Sequence, residues 1–193
     1  MAAQSRAADL MKLRERRVEL VASEHWHPHC TALFQWWGEV SPPGGVPFVD
    51  RVVQAEWDAA LPDGWMLDVQ QPQRLKVRWA GPRIAALFGE DPAGRFLDEA
   101  LPKFGVDDCF LLRCAQAVVA RRPIWRIGEP WRAWGRDVRA VETLIVPFAS
   151  RGDAVDLLLL CTLVHERRTG ALHQRLPAEE VALPAELRLR RTA

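Results

Sequence analysis

Two periodicities divide the chain. From Trp65 the pattern has a period of two: Trp65, Leu67 and Val69 alternate with Met66 and Asp68, and after a turn at Gln71-Pro-Gln73, Leu75, Val77 and Trp79 alternate with Lys76 and Arg78. This spacing predicts a β-hairpin with one wet face. Three more strands are expected later, one starting at Ile124-Trp-Arg-Ile127, one over Val138–Phe148 and one over Val155–Val164. The last is a nearly continuous apolar run, the pattern of a strand covered on both faces, which places it at the centre of a sheet. Ser150-Arg-Gly-Asp153 supplies the hairpin turn before it.

Elsewhere the spacing is helical. Leu10, Leu13, Val18 and Val21 predict a charged helix over Ala7–Ser23 with one apolar stripe, either a solvated outer helix or one that binds a partner or dimerises. Pro28 suits a first helical turn, Thr31–Trp37 is short and apolar, and Ser41-Pro-Pro-Gly-Gly45 ends it. Val53, Trp57 and Leu61 predict another short helix over Asp50–Leu61, closed by Pro62-Asp-Gly64. Pro82–Phe88 and Gly94–Leu101 are expected as short helices interrupted by Gly89 and Pro92. A longer helix, capped by Asp107 or Asp108, runs to Arg122, with Leu111, Cys114, Ala115 and Val118 on its apolar face and Pro123 as its stop. Antiparallel strands segregated from helices define an α+β domain.

Composition narrows the setting. The 193 residues carry a net charge of +1, so the chain lacks the cationic excess of a general nucleic-acid binder. Apolar residues at 49% and charged residues at 26% are ordinary for a globular domain. The start has no apolar core of a signal peptide, and no apolar run approaches a membrane span. Cys30, Cys109, Cys114 and Cys161 form no CxxC pair, which fits a reducing, cytoplasmic location rather than a disulfide framework. The tail after Arg167 is rich in Pro, Glu and Arg and is expected to be loose.

Few residues suggest chemistry. His25, His27, His29 and Cys30 carry imidazole and thiolate donors that suit zinc or copper, and in an extended chain the three histidines share one side. The competing reading is a polar approach to the helix that starts at Pro28. Cys109 and Cys114 lie about 140° apart around a helix, so Cys114 reads as a small core residue. Trp79 fits a buried strand face, while Trp125, Trp131 and Trp134 cluster near Arg126, Arg132 and Arg136 and fit either core packing or a surface for a protein or an anion. No Ser-His-Asp ordering, P-loop, GxGxxG or HExxH occurs. No catalytic residue is assigned.

The stretch Leu75-Lys-Val-Arg-Trp-Ala-Gly-Pro-Arg-Ile-Ala-Ala-Leu-Phe-Gly-Glu-Asp-Pro-Ala-Gly-Arg-Phe-Leu-Asp-Glu99 carries a resemblance to PAS domains. In particular it resembles a bacterial branch in which one PAS domain forms nearly the whole protein. Trp36-Trp37, Pro47, Asp50, Leu61-Pro62 and Met66-Leu-Asp68 look like that branch's helical lead-in, and Glu142–Pro147 and Leu157–Val164 look like its last two strands. The resemblance implies a five-stranded antiparallel sheet with helices on one face, preceded by N-terminal helices. It divides the chain into an extension over 1–27, a PAS-like domain over 28–166 with its core at 65–164, and a tail over 167–193.

It also implies a cleft between sheet and helices, with Phe96, Leu97, Phe104, Leu111, Cys114, Val118, Trp125 and Ile127 as candidate ligand-binding residues. No cofactor is expected. Asp91–Asp98 lacks the cysteine of a covalent flavin sensor, and Asp107–Arg122 lacks an axial histidine for haem. The expected protein is a non-catalytic, cytoplasmic regulator that binds a small apolar ligand or a protein partner, signals through a separate protein and forms a homodimer. It has no nucleic-acid or membrane partner. The alternatives are a ligand-free interaction module and metal binding through His25–Cys30.

Overall fold

The computed structural model describes residues 26–48, 61–71, 74–100, 108–128, 138–150 and 154–166. The helix expected over Ala7–Ser23 and, except for Leu61, the one over Asp50–Leu61 lie outside these residues, as do His25, Phe104, Trp131, Trp134 and the tail. The elements are α1 (Pro28–Val40), β1 (Gly64–Gln71), β2 (Arg74–Ala80), α2 (Pro82–Phe88), α3 (Leu97–Ala100), α4 (Asp108–Ala120), β3 (Ile124–Gly128), β4 (Val138–Phe148) and β5 (Leu157–Glu166).

The strands form one antiparallel sheet in the order β2-β1-β5-β4-β3. The apolar run of β5 is at its centre, between β1 and β4, as its composition requires. The β1–β2 pairing shifts register between Met66 and Leu67, which brings Met66 opposite Trp79 and Leu67 opposite Val77. This irregularity explains why Trp79 and Val77, two apart, belong to different cores.

Alternation along the strands builds two cores. The inner one joins Trp65, Leu67, Leu75, Val77, Ile145, Leu158 and Leu160 to Ile84, Phe88, Leu97, Phe110, Cys114 and Ala117 of the helical segments α2, α3 and α4. The outer one joins Met66, Trp79, Leu144, Val146, Phe148, Leu157, Leu159 and Cys161 to Trp26, Cys30 and Leu33, the last two from α1. The expected helices on one face are therefore α2, α3 and α4, while the lead-in helix α1 closes the opposite face. Covering both faces is what lets β5 be apolar at nearly every position.

Local rules fix the helix ends. Pro28 and Pro82 open their helices, and Gly89 ends α2 in the left-handed conformation at φ 71°. The expected helix over Gly94–Leu101 shrinks to Leu97–Ala100, because Gly94 and Arg95 instead hydrogen-bond with Val77, and Phe96 bridges Lys76. Arg121 ends α4 at φ 54°, a conformation that glycine adopts without steric cost. Arg121→Gly is expected to raise the unfolding free energy by about 1 kcal/mol. Urea denaturation checks it; an unchanged midpoint would show that the arginine side chain compensates for the strain.

Candidate functional site

The inner face is where the resemblance places a ligand, and its described side chains pack tightly against one another. Trp65 stacks on Phe110 with ring centroids 5.5 Å apart and 16° between planes, and meets Phe88 at 5.9 Å. Its indole Nε1 donates to Thr162 Oγ1 at 3.0 Å, so the one polar atom of this large side chain is satisfied inside the core. Leu97 and Cys114 are buried in this core, and Leu111 and Val118 pack at its margin. Burial pushes the Cys114 thiol well above its ordinary range, which makes it a packing residue rather than a nucleophile.

Three of the eight candidate cleft residues are placed elsewhere. Phe96 is partly buried at the β2 edge with the Arg74 guanidinium 4.0 Å above its ring. Trp125 is on the outer face, stacked on Trp26 with centroids 5.1 Å apart. Ile127, two positions on in β3, shares that side by alternation. The strand pairing accounts for these positions: Trp125 pairs with Leu144 and Ile127 with Glu142, both on the outer face of β4. Phe104 lies outside the described residues.

The outer face holds the more distinctive chemistry. Glu142, 0% exposed, occupies a strand position in line with Leu144, Val146 and Phe148. Its Oε1 accepts from the His27 backbone N–H and from Trp125 Nε1, both at 2.9 Å, and its Oε2 accepts from His165 Nε2 at 3.1 Å. Burial alone would raise this carboxyl's pKa; the hydrogen bonds from His165, Trp125 and His27 outweigh it and hold the pKa below the ordinary 4.5. One buried carboxylate thus ties the start of α1 to β3 and β5.

A second polar chain runs beside it. The His27 side chain caps α1, its Nδ1 accepting from the His29 N–H at 3.2 Å. His29 Nδ1 donates to Asp63 Oδ2 at 3.0 Å, which also accepts from Arg83 Nη1 at 2.9 Å. The Asp63 carbonyl accepts from Thr162 N–H, so this turn joins α1, α2 and β5. Farther along α1, Trp37 Nε1 donates to the Pro147 carbonyl at 2.8 Å. The lead-in helix is therefore held at both ends.

This geometry bears on the histidine cluster. The His27 and His29 rings meet edge to face at 4.8 Å, but the Nδ1 atoms of both are committed to other partners. Cys30 is buried in the outer core beside Cys161, and burial, followed by its hydrogen bond to Cys161, pushes its thiol well above the ordinary range. Among the described residues no group of three His, Cys, Asp or Glu side chains is arranged to hold a metal. Of the cluster, His27 caps α1, His29 joins it to Asp63 and Cys30 packs in the outer core, while His25 lies outside the described residues. The buried acid was the signal available in sequence: Glu142 occupies a β4 position whose alternate neighbours Val138, Ala140, Leu144, Val146 and Phe148 are all apolar.

The polar network predicts an acid-labile attachment. Burial, with the neighbouring His29, lowers the His27 pKa from 6.5 to about 4. Between those values the unfolded chain takes up a proton that the folded state resists, so stability is full above pH 6.5 and falls as pH drops toward 4. Glu142, with its lowered pKa, adds a further loss on the acid side of 4.5. The denaturation midpoint at pH 5 is expected below that at pH 7, with most of the difference absent in His27→Asn. Equal midpoints in the wild type would contradict this.

A family model described as PAS domain matches residues 25–163. The chain belongs to the PAS domain family, and its role is, in general terms, sensory or regulatory. Among solved structures, the crystal structure of the Rhodobacter sphaeroides LOV protein is similar at 17% sequence identity and a TM-score of 0.45. The match covers 61% of this chain and 66% of that one, slightly under two thirds of its length. No curated protein matches the sequence. None of the helices in the described residues is long and apolar enough to cross a membrane.

Proposed function

We propose that this protein is a non-catalytic regulator in which a small apolar ligand at the inner core, or a partner in contact with the domain, biases the placement of α1 and so acts on a separate output protein. The observation that carries this reading is the alternation of β5. Leu158 and Leu160 pack in the inner core, while Leu157, Leu159 and Cys161 pack in the outer core that holds α1. A displacement of β5 by a change in the inner core acts directly on the surface beneath the lead-in helix. A ligand shifts such an equilibrium only by its difference in affinity for the two arrangements.

Native mass spectrometry of the purified full chain tests the ligand. The expected result is retained non-protein mass that is lost on denaturation, with slower amide exchange over residues 28–40 in loaded than in emptied protein. A bare chain with no retained mass favours the second reading, a ligand-free interaction module. The Trp65–Phe110 stack supports that alternative, because it already fills part of the inner core with protein side chains.

A further inference from the structure

Among the described residues the free thiols are Cys30, Cys114 and Cys161, all buried. Cys114 belongs to the inner core, whereas Cys30 and Cys161 both belong to the outer one. There the two meet: the Cys30 thiol, in the first turn of α1, is in hydrogen-bond contact with Cys161 of β5. Cys161 is held in the central strand, paired with Gly64 of β1 on one side and Leu144 of β4 on the other. Two thiols from remote parts of the chain thus face each other between the helix and the sheet. A free cysteine packs as a small hydrophobe, but a facing pair also has a reaction open to it.

The cover over this pair is α1 itself. Cys30 is on the helix and Cys161 is on the sheet face beneath it, so lifting the start of α1 bares both thiols while the strand pairings stay closed. With the helix down, burial keeps the Cys30 thiol protonated and unreactive; with the helix lifted, its pKa returns toward the ordinary 9.0. We propose that Cys30 and Cys161 are a redox-controlled fastening between the lead-in helix and the central strand, closed by exchange with a small-molecule disulfide. The Cys30 thiolate attacks one sulfur of the small disulfide, whose S–S bond breaks; a mixed disulfide forms, and the departing thiolate takes up the proton that Cys30 lost. Cys161, deprotonated in turn, attacks the Cys30 sulfur and expels the second small thiol, leaving a Cys30–Cys161 bond of about 2 Å. The small disulfide is reduced to two thiols and the protein loses two hydrogens. The closed link holds α1 against β5, and excess thiol reverses it. The fastening requires only that α1 can lift, whatever occupies the inner core.

The four cysteines fall in separate tryptic peptides, Cys30 in 18–51, Cys109 in 104–113, Cys114 in 114–121 and Cys161 in 152–167, so peptide mapping of the full chain identifies any link. In millimolar oxidised glutathione under native conditions, the expected product is one joined pair, 18–51 with 152–167, which dithiothreitol separates. Amide exchange over residues 28–40 is expected to slow about ten-fold or more in the linked protein, with no slowing in Cys30→Ala or Cys161→Ala. Glu142→Gln, which loosens the hold on α1, is expected to speed link formation about ten-fold. Free thiols retained at Cys30 and Cys161, stable glutathione adducts there without a link, or a link through Cys109 or Cys114 would each overturn the proposal. So would equal rates of linking in the wild type and Glu142→Gln, or a linking rate no faster than amide exchange in β5, which assigns the reaction to global unfolding.

Discussion

Glu142→Ala is expected to lower the unfolding free energy by about 3–5 kcal/mol, the cost of removing one member of a buried, hydrogen-bonded charge arrangement. The size follows from what is left behind. The His27 N–H and Trp125 Nε1–H lose their shared acceptor in a region where Trp26 and Trp125 stack, and each buried unpaired donor costs about 1–3 kcal/mol. The corresponding fall in melting temperature is about 10 °C. Glu142→Gln is expected to cost about a third as much. Its oxygen can still accept both donors, while its amide faces His165, whose Nε2 must then accept instead of donate. Thermal denaturation followed by circular dichroism measures both variants. Equal effects would mean that the charge, rather than the acceptor geometry, holds α1.

The second large effect lies on the opposite face. Trp65→Ala is expected to cost about 3–5 kcal/mol, combining lost burial with the cavity left beneath Phe110 and Phe88. The void has the shape of an indole ring and a ready acceptor in Thr162 Oγ1. Millimolar indole is therefore expected to raise the melting temperature of Trp65→Ala and to leave that of the wild type unchanged. Calorimetry with and without indole checks this. No rescue would show that the inner core collapses around the missing side chain.

Much of this architecture could be read from the residues. The period-two stretches around Trp65 and Trp79 are β1 and β2. The stops at Pro123 and Gly89 fall at helix ends, and the apolar run at Leu157 is the central strand. The PAS resemblance carried by Leu75–Glu99 agrees with the family match. What could not be read was the partnering of isolated polar groups. His27 and Glu142 are 115 positions apart, and nothing local in either names the other. His27 and His29 draw attention as possible ligands because side-chain type is visible in a sequence, whereas commitment to a cap or a carboxylate is a property of the fold. The face that Trp125 takes is equally hard to read from the sequence. A strand of five residues, all partly buried, has too little contrast for alternation to say which face is which. The buried acid in β4 breaks an apolar pattern visibly, yet its meaning depends on the helix that folds back over it.

The claim that the two faces communicate through the shared strands is tested most directly by hydrogen exchange over residues 28–40 in Trp65→Ala, measured under native conditions with and without indole. Emptying the inner core is expected to speed exchange in α1 more than in β4, and indole is expected to restore the protection. Unchanged protection of 28–40 in the emptied variant would contradict it, leaving the lead-in helix anchored but deaf to what the inner core contains.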